Sequence, residues 1–511
     1  MRTKSSIRNL SAAFLGQFFG IAISFVSRKI FISVLNEEYL GINGLFTNIL
    51  SMLSIMELGV GPAIVYCLYK PLAEGDRSQV IALMQLFRRL YCLIGCGIMA
   101  IGCGISFFLP FFLKETADIP DLQLIFILFV TNSAVSYFFS YKRSLIIADQ
   151  KRYIATIYRY AAYVFLNLTQ CLALLLTGSY ILYLSLQLFF TVLENLLVSQ
   201  KADKLYPYLK ENLRESLKPE TGRQISKNVR AMFFHKIGGI FVNSTDNLII
   251  SKFIGIGTVG LFSNYELVLS ALSKIIYQIF EAVTASIGNM GVTETTEKSE
   301  KIFYVLLFVN SWIFGVTSIC LWSLFNSFIH LSFGQDMLLD QAVVGVIVVK
   351  YYLSGMRKTV LTYRDAYGLY WQDRYKPLLE IAVNLIASLV LVMRMGISGV
   401  FLGTIISTLT TCFWVEPYVL FRYVFHKKPK QYFKLVVEYG VVTLLVGVLV
   451  YALSRFLCMG GALGFIVLCF VCFVMANLAF CIVYFHRWEF QYILRTGYLL
   501  FLEGKIQWMR K

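Results

Sequence analysis

The sequence predicts an all-α, polytopic membrane protein, and its composition and long apolar runs carry that prediction. Of its 511 residues, 58% are hydrophobic and only 15% are charged, whereas a soluble globular chain is about 45–50% apolar and about 25% charged. This composition excludes a disordered chain, a disulfide-rich secreted domain and an ordinary soluble enzyme. The expected architecture is about 14 transmembrane helices, arranged as two pseudo-symmetric six-helix lobes followed by two C-terminal helices.

Fourteen runs of the sequence are apolar and long enough to cross a bilayer, which takes roughly 20 helical residues. They cover 10–34, 42–69, 90–113, 122–141, 154–177, 180–199, 229–254, 261–289, 302–328, 338–362, 377–395, 397–421, 432–454 and 461–485. The first run is too long for the apolar core of a signal peptide, so we expect it to be retained. The segment Glu57–Pro62 (ELGVGP) interrupts the second run, and we expect the helix to bend there.

The basic residues orient these spans, because cytoplasmic loops are enriched in Lys and Arg. An even number of spans places both termini on one side of the membrane. The connections on that side, together with the termini, hold 36 of the 46 Lys and Arg residues, and the other connections hold three. We therefore expect both termini in the cytoplasm. This bias also explains most of the formal net charge of +17 without a nucleic-acid partner.

An internal repeat predicts the two lobes. A shift of 219 residues, without gaps, aligns several non-aliphatic residues: Asn9 with Asn228, Gly20 with Gly239, Gly41 with Gly260 and Ser51 with Ser270. Six spans separate the copies, so both have the same orientation, as in transporters built from two halves. The predicted domains are an N-terminal six-helix lobe (1–200), a cytoplasmic linker (201–228), a C-terminal six-helix lobe (229–428), helices 13 and 14 (429–485) and a cytoplasmic amphipathic tail (486–511).

Besides the 39 basic residues counted with the connections and termini, seven lie inside the spans, where an ionised side chain costs at least about 2.5–3.5 kcal/mol at the bilayer centre. Such residues are expected to face a cavity or a partner, and an excess of cations favours an anionic substrate. Lys252 lies near the end of its span and can instead extend to the interface. The candidate substrate-binding cations are Arg28, Lys29, Arg159, Lys236, Lys274 and Lys350. The repeat places Asp246 opposite Ser27, so a purely structural Arg28–Asp246 ion pair is the alternative.

Four further residues form a candidate coupling-ion site. Glu380 and Asn384 share a helical face at i, i+4, and Asp246 and Thr404 add oxygen ligands from other spans. Ordinary interhelical hydrogen bonding is the alternative.

Aromatic side chains offer weaker candidates for contact with a sugar, and packing or an interfacial position is the alternative for each. They are Tyr66, Tyr69, Tyr265 and Tyr277. We identify no catalytic or metal-binding residues, because the four His residues have no spacing typical of a metal site and no hydrolase motif is present. We therefore expect no enzyme and no cofactor, apart from coupling to Na+ or H+.

Three stretches carry a family resemblance: Asn36–Asp76 (beginning NEEYLGINGLF), Ile276–Met290 (IYQIFEAVTASIGNM) and Arg374–Tyr418 (beginning RYKPLLEIAVN). They resemble bacterial oligosaccharide flippases, the Wzx-type exporters of the multidrug/oligosaccharidyl-lipid/polysaccharide superfamily. The resemblance implies a bacterial plasma membrane and a polyprenyl-diphosphate-linked oligosaccharide, flipped to the outer leaflet by alternating access for capsule, O-antigen or exopolysaccharide. Polysaccharide polymerase and glycosyltransferases are the implied partners, besides membrane lipids.

The resemblance also implies roles for residues already singled out. In the related lipid II flippases, charged residues of the first helix lie in the central cavity, and Arg28 and Lys29 match them in position. A cation site near helices 7, 11 and 12 of that branch maps onto Asp246, Glu380, Asn384 and Thr404.

Three other functions compete with this interpretation. A cation-coupled multidrug exporter of the same superfamily usually has twelve spans and an acid-rich cavity. A membrane polysaccharide polymerase or ligase tends to carry a large external loop, whereas the external connections here are short. A scaffold within a polysaccharide assembly complex is the third.

Overall fold

The computed structural model describes residues 2–57, 60–113, 119–149, 151–210, 222–223, 241, 244–369, 371–456 and 461–496. All regular structure within these ranges is helical, which confirms the all-α class. The α-helices are α1 (Arg2–Val34), α2 (Glu37–Leu53), α3 (Val60–Glu74), α4 (Arg77–Ser106), α5 (Leu109–Phe112), α6 (Leu122–Ala148), α7 (Arg152–Thr177), α8 (Tyr180–Leu205), α9 (244–253), α10 (Ile256–Thr293), α11 (Thr296–Phe333), α12 (Gln341–Met356), α13 (Lys358–Tyr367), α14 (Lys376–Ser407), α15 (Phe413–Leu420), α16 (Lys430–Phe456), α17 (Gly461–Tyr484) and α18 (488–496).

Ten segments of the described chain are long and apolar enough to cross a membrane. One of them, Lys376–Phe425, contains two predicted spans. These two spans meet at Gly396, whose φ of 55° and ψ of −136° break the helical path. A positive φ is readily adopted by glycine and strained for other residues, so this glycine provides the short turn that the sequence predicts between the two spans.

Three predicted spans are not among these ten segments. Span 10–34 is helical and lies within α1. Span 229–254 falls largely outside the described residues, which resume as a helix at 244. Span 338–362 contains α12 and the start of α13, which are separated by the single residue Arg357, and α12 alone has 16 residues and is too short to count among the ten.

The chain divides into two compact units, Met1–Ser263 and Asn264–Lys511. In the first unit, α6 packs against α4 and α8, and α1 packs against α7. Apolar side chains of α2 and α6 form one core, in which Phe46 meets Phe126 edge-on with ring centroids 4.8 Å apart. The predicted interruption of the second span is confirmed, because α2 ends at Leu53 and a 3-10 turn follows over Ser54–Glu57.

Helices α2 and α10 approach closely at the two glycines that the repeat aligns. A Cβ on Gly41 would lie 2.0 Å from the Ile256 carbonyl oxygen, and one on Gly260 would lie 2.1 Å from the Glu37 carbonyl oxygen. The same shift of 219 residues relates Glu37 to Ile256. The contact is therefore reciprocal, and only residues without a side chain allow it.

In the second unit, α11 is the central helix, and α12, α16 and α17 pack around it. The described part of the predicted tail forms α18, and Phe490 on this helix stacks on Trp312 of α11 with centroids 5.7 Å apart and planes 2° apart. The Lys301 ammonium lies 5.9 Å from the Trp488 ring and 5.5 Å from the Tyr492 ring. Aromatic packing thus fixes α18 against one end of the unit.

Candidate functional site

The first unit holds a cationic side chain within a predicted span, on helix α1. Arg28 is half-buried, and its Nη1 donates a hydrogen bond to the Ser263 hydroxyl at 2.9 Å. That hydroxyl in turn donates to the Gly260 carbonyl at 2.8 Å. One turn earlier, the Ser24 and Tyr163 hydroxyls are hydrogen-bonded at 2.7 Å. The Ser263 hydroxyl thus orients the guanidinium, and the Ser24–Tyr163 pair extends the polar face of α1 by one turn.

Three other predicted cations are exposed, so the helices of their own unit do not cover them. Lys29 and Arg159 belong to the first unit and Lys274 to the second. Because successive residues of a helix point about 100° apart, Lys29 and Arg28 diverge from the same turn of α1. Together they extend positive charge over a wide part of that helix surface.

The two remaining predicted cations differ from these. Lys350 on α12 is half-buried, and its ammonium lies 5.0 Å from the centre of the Phe401 ring, a cation–π distance. Lys236 lies outside the described residues. Lys252, which the sequence predicts near the end of its span, donates to the Leu113 carbonyl at 3.4 Å.

The candidate coupling-ion residues divide between the two units. Asp246 is buried on α9 in the first unit. In the second unit, the Asn384 side-chain amide donates to the Thr404 hydroxyl at 3.0 Å, and both residues are buried. Glu380, one turn before Asn384, lies 3.6 Å from an Arg357 nitrogen. An arginine thus compensates the carboxylate that was expected to bind a cation.

That arginine belongs to a buried ion cluster in the second unit, which the sequence analysis missed. Arg357 donates two hydrogen bonds to Glu416, at 3.0 and 2.7 Å, and Lys376 donates a third to the same carboxylate. Glu416 is 3% exposed and Lys376 is 6% exposed. The cluster joins the junction of α12 and α13, the start of α14 and the middle of α15.

A second layer of charge surrounds this cluster. Arg364 lies 3.3 Å from the buried Asp373 and 3.0 Å from Asp365. Burial alone would lower the pKa of Arg364, but the carboxylates of Asp365, Glu416 and Asp373 raise it above its usual value. The cluster therefore sets three basic side chains against four acidic ones, which leaves a formal charge of −1.

The first unit carries an equivalent but more exposed arrangement. Lys142 near the end of α6 pairs with Asp203 near the end of α8 at 2.7 Å, and Arg143 pairs with Glu194 at 2.5 Å. These helices contain the fourth and sixth predicted spans. In the second unit, Arg357 and Glu416 likewise join the ends of the tenth and twelfth spans. In each unit, a basic residue at the end of one span thus pairs with an acidic residue in or just after the span two further on.

The candidate tyrosines lie in different surroundings. Tyr69 is exposed, and the side chain of Tyr66 is outside the described part of the structure. Tyr265 is fully buried, and its hydroxyl donates to the Asn326 side chain at 2.5 Å and accepts from the Leu339 backbone N–H at 2.9 Å. The Tyr277 ring lies 4.5 Å from the Lys358 ammonium.

No protein-family model matches the chain, and no curated protein matches it in sequence. The fold is that of transporters and flippases of the MOP superfamily, and the chain is a multi-pass membrane protein. The inward closed conformation of the lipid II flippase MurJ superposes with a TM-score of 0.64 at 11% identity, covering 92% of this chain and 98% of that one.

Two transporters of the superfamily show the same fold. An inward-facing multidrug resistance MATE transporter gives a TM-score of 0.64 at 13% identity, over 79% of this chain and 94% of that one. A MOP superfamily transporter from Pyrococcus furiosus, whose binding pocket has reverse polarity, gives a TM-score of 0.55 at 12% identity. That match covers 82% of this chain and 96% of the transporter. The three similar structures named here are a flippase and two transporters.

Proposed function

We propose that this protein is a flippase for polyprenyl-diphosphate-linked oligosaccharide repeat units in a bacterial plasma membrane. It moves them from the cytoplasmic to the outer leaflet by alternating access, for export of capsule, O-antigen or exopolysaccharide. Arg28 is the observation that carries this proposal: a guanidinium within a predicted span, held by the Ser263 hydroxyl, with Lys29 exposed beside it.

The chemistry of these two side chains favours an anionic ligand. A cation inside a bilayer is costly, and a diphosphate compensates that cost through charge-assisted hydrogen bonds. The Ser263 hydroxyl orients the Arg28 guanidinium, and we propose that this guanidinium donates to a phosphate oxygen. In the proposed transport cycle the diphosphate contacts Arg28 and Lys29, while Arg159, Lys236, Lys274 and Lys350 supply further positive charge along the path.

Fold coverage supports a flippase over a multidrug exporter. The lipid II flippase structure extends over 92% of this chain and the multidrug transporter over 79%. The former also handles a lipid-linked substrate, which is the class proposed here.

The driving force in this proposal is an ion gradient or the membrane potential. Asp246, Glu380, Asn384 and Thr404 are the proposed residues for coupling to Na+ or H+. Glu380 acts there while it is paired with Arg357. Moving one net charge through the membrane field is worth about 2.3 kcal/mol per 100 mV. Turnover should therefore respond to an imposed potential or ion gradient.

Reconstitution tests the proposal directly. The full chain is placed in liposomes with defined polyprenyl-diphosphate oligosaccharides, and their exposure on the far leaflet is measured with and without a Na+ gradient, a pH gradient or a potential. We expect Arg28→Ala to reduce the rate at least tenfold, because about 1.5–3 kcal/mol of charge-assisted hydrogen bonding is lost. Arg152→Ala, which removes an exposed cation at the start of α7, is the matched control and should transport normally.

The competing functions predict other outcomes in the same liposomes. Uptake of cationic drugs with no movement of the lipid-linked sugar would identify a multidrug exporter. Chain growth of the oligosaccharide would identify a polymerase. Equal transport by Arg28→Ala and Arg152→Ala would remove Arg28 from the site.

A further inference from the structure

The stretch that joins α15 to α16 concentrates positive charge at one end of the second unit. Five of the thirteen residues from 422 to 434 are Lys or Arg, and all five are exposed: Arg422, Lys427, Lys428, Lys430 and Lys434. This stretch connects the twelfth and thirteenth predicted spans. The distribution of Lys and Arg among the loops places it on the side that we expect to be cytoplasmic.

Four of these cations form no ion pair with a carboxylate of the described residues. The fifth, Lys427, pairs with Glu300 of α11 at 2.5 Å. The nearest acids in the sequence, Glu416 and Glu438, are paired with basic residues outside this stretch. We call the four remaining cations the basic patch: Arg422, Lys428, Lys430 and Lys434.

On α16, two residues of the basic patch begin a face that continues into the membrane. Lys430 and Lys434 are followed at helical spacing by Val437, Val441 and Leu444, which lie on the same side of the helix. These three apolar side chains are 64%, 51% and 59% exposed. Because α16 is long and apolar enough to cross a membrane, its exposed apolar face contacts lipid. The two lysines therefore lie where this lipid-facing side leaves the hydrocarbon.

Exposed aromatic side chains on α15 mark the same level of the membrane. Trp414 and Tyr418 are 57% and 49% exposed, and such residues are typical of the lipid headgroup region. Arg422, one turn after Tyr418, donates to its hydroxyl at 2.6 Å. The Trp414 ring lies 4.5 Å from the ring of Phe433 on α16, the residue before Lys434. The two helix surfaces are thus adjacent.

This surface joins a lipid-facing apolar strip to cations at its cytoplasmic edge. Lysine and arginine bind phosphate oxygens through charge-assisted hydrogen bonds, and anionic lipids attract basic clusters next to a membrane span. A zwitterionic phospholipid has the same phosphate but also its own cation, so it leaves the charge of the patch in place. The complementary occupant is a phospholipid whose headgroup has a net negative charge.

We propose that the basic patch binds the headgroup of an anionic phospholipid of the cytoplasmic leaflet. The phosphate lies among Arg422, Lys430 and Lys434, and the acyl chains lie along Val437 and Val441. The site uses none of the residues assigned to the transport path, so it holds whatever substrate the protein carries.

Quenching of Trp414 fluorescence tests the proposal without any transport assay. The full chain is placed in phosphatidylcholine nanodiscs with increasing fractions of brominated phosphatidylglycerol or brominated phosphatidylcholine. The contribution of Trp414 is isolated by subtracting Trp414→Phe, which keeps an aromatic ring beside Phe433. We expect phosphatidylglycerol to quench Trp414 at a lower fraction than phosphatidylcholine does. The ratio of the two fractions gives the preference for the anionic lipid.

Charge variants test the role of the lysines. Lys434→Gln should lower the preference about fivefold, and the double variant with Lys430→Gln about 25-fold, because each removes one attraction to the headgroup. The double variant with Lys430→Arg and Lys434→Arg should keep it. Arg152→Gln is the matched control, since it removes an exposed cation at the start of α7, and it should quench like the wild type.

Three results would overturn the proposal. The first is equal quenching by the two brominated lipids, and the second is a preference that survives the double Gln variant. The third is loss of the preference when inorganic phosphate is added at constant ionic strength, which would identify a site for free phosphate instead of a lipid.

Discussion

Replacement of Glu416 by Gln is expected to destabilise the second unit strongly. Glu416 accepts two hydrogen bonds from Arg357, at 3.0 and 2.7 Å, and one from Lys376, while being only 3% exposed. Gln keeps the shape and one acceptor but removes the negative charge between two cations. Removing one member of a buried ion pair costs about 3–5 kcal/mol, which corresponds to a fall in Tm on the order of 10 °C for a domain of this size.

Thermal unfolding of the purified full chain in nanodiscs measures this effect. Glu300→Gln is the matched control, because Glu300 pairs with Lys427, whose side chain is 57% exposed, and an exposed pair contributes little. Equal Tm values for Glu416→Gln and Glu300→Gln would refute the reasoning. The double variant Arg357→Met with Glu416→Met should be less destabilised than Glu416→Gln, because it removes the uncompensated guanidinium together with the carboxylate.

Two further substitutions test particular contacts by the same unfolding measurement. Gly41→Ala should lower stability by about 1–3 kcal/mol, because its Cβ would lie 2.0 Å from the Ile256 carbonyl; Gly104→Ala should not, and equal stability of the two would contradict the close approach. Tyr265→Phe should cost about 1–3 kcal/mol by leaving the buried Leu339 N–H and the Asn326 side chain without the tyrosine hydroxyl. If Tyr265→Phe instead unfolds like the wild type, water or another group must replace that hydroxyl.

The positions of the helices were largely predictable, because membrane spans follow from length and hydropathy alone. The predicted boundary between 377–395 and 397–421 falls on Gly396, the residue with the positive φ. Hydropathy does not detect the division of span 338–362 into α12 and α13 at Arg357, a residue that pairs with the buried Glu416.

The ion cluster was harder to predict, because its members appear in different roles along the sequence. Arg357 and Lys376 count as cytoplasmic loop cations under the positive-inside rule, yet both are held by a carboxylate within a predicted span. Glu416 in the apolar run 397–421 was the available signal, since an acid in such a run requires a partner. Periodicity could not identify that partner, because the contact joins residues 59 positions apart.

The meeting of α2 and α10 has the symmetry of a contact between identical subunits. Gly41 lies against Ile256, and Gly260 lies against Glu37, so the contact of each glycine is repeated by its counterpart with the two chain segments exchanged. Reciprocity of this kind is the defining property of an isologous interface between identical subunits. Within one polypeptide, the two copies of this stretch therefore meet as two subunits related by a two-fold axis would. Because the side chains at the equivalent positions Glu37 and Ile256 differ, this symmetry rests on the main chain.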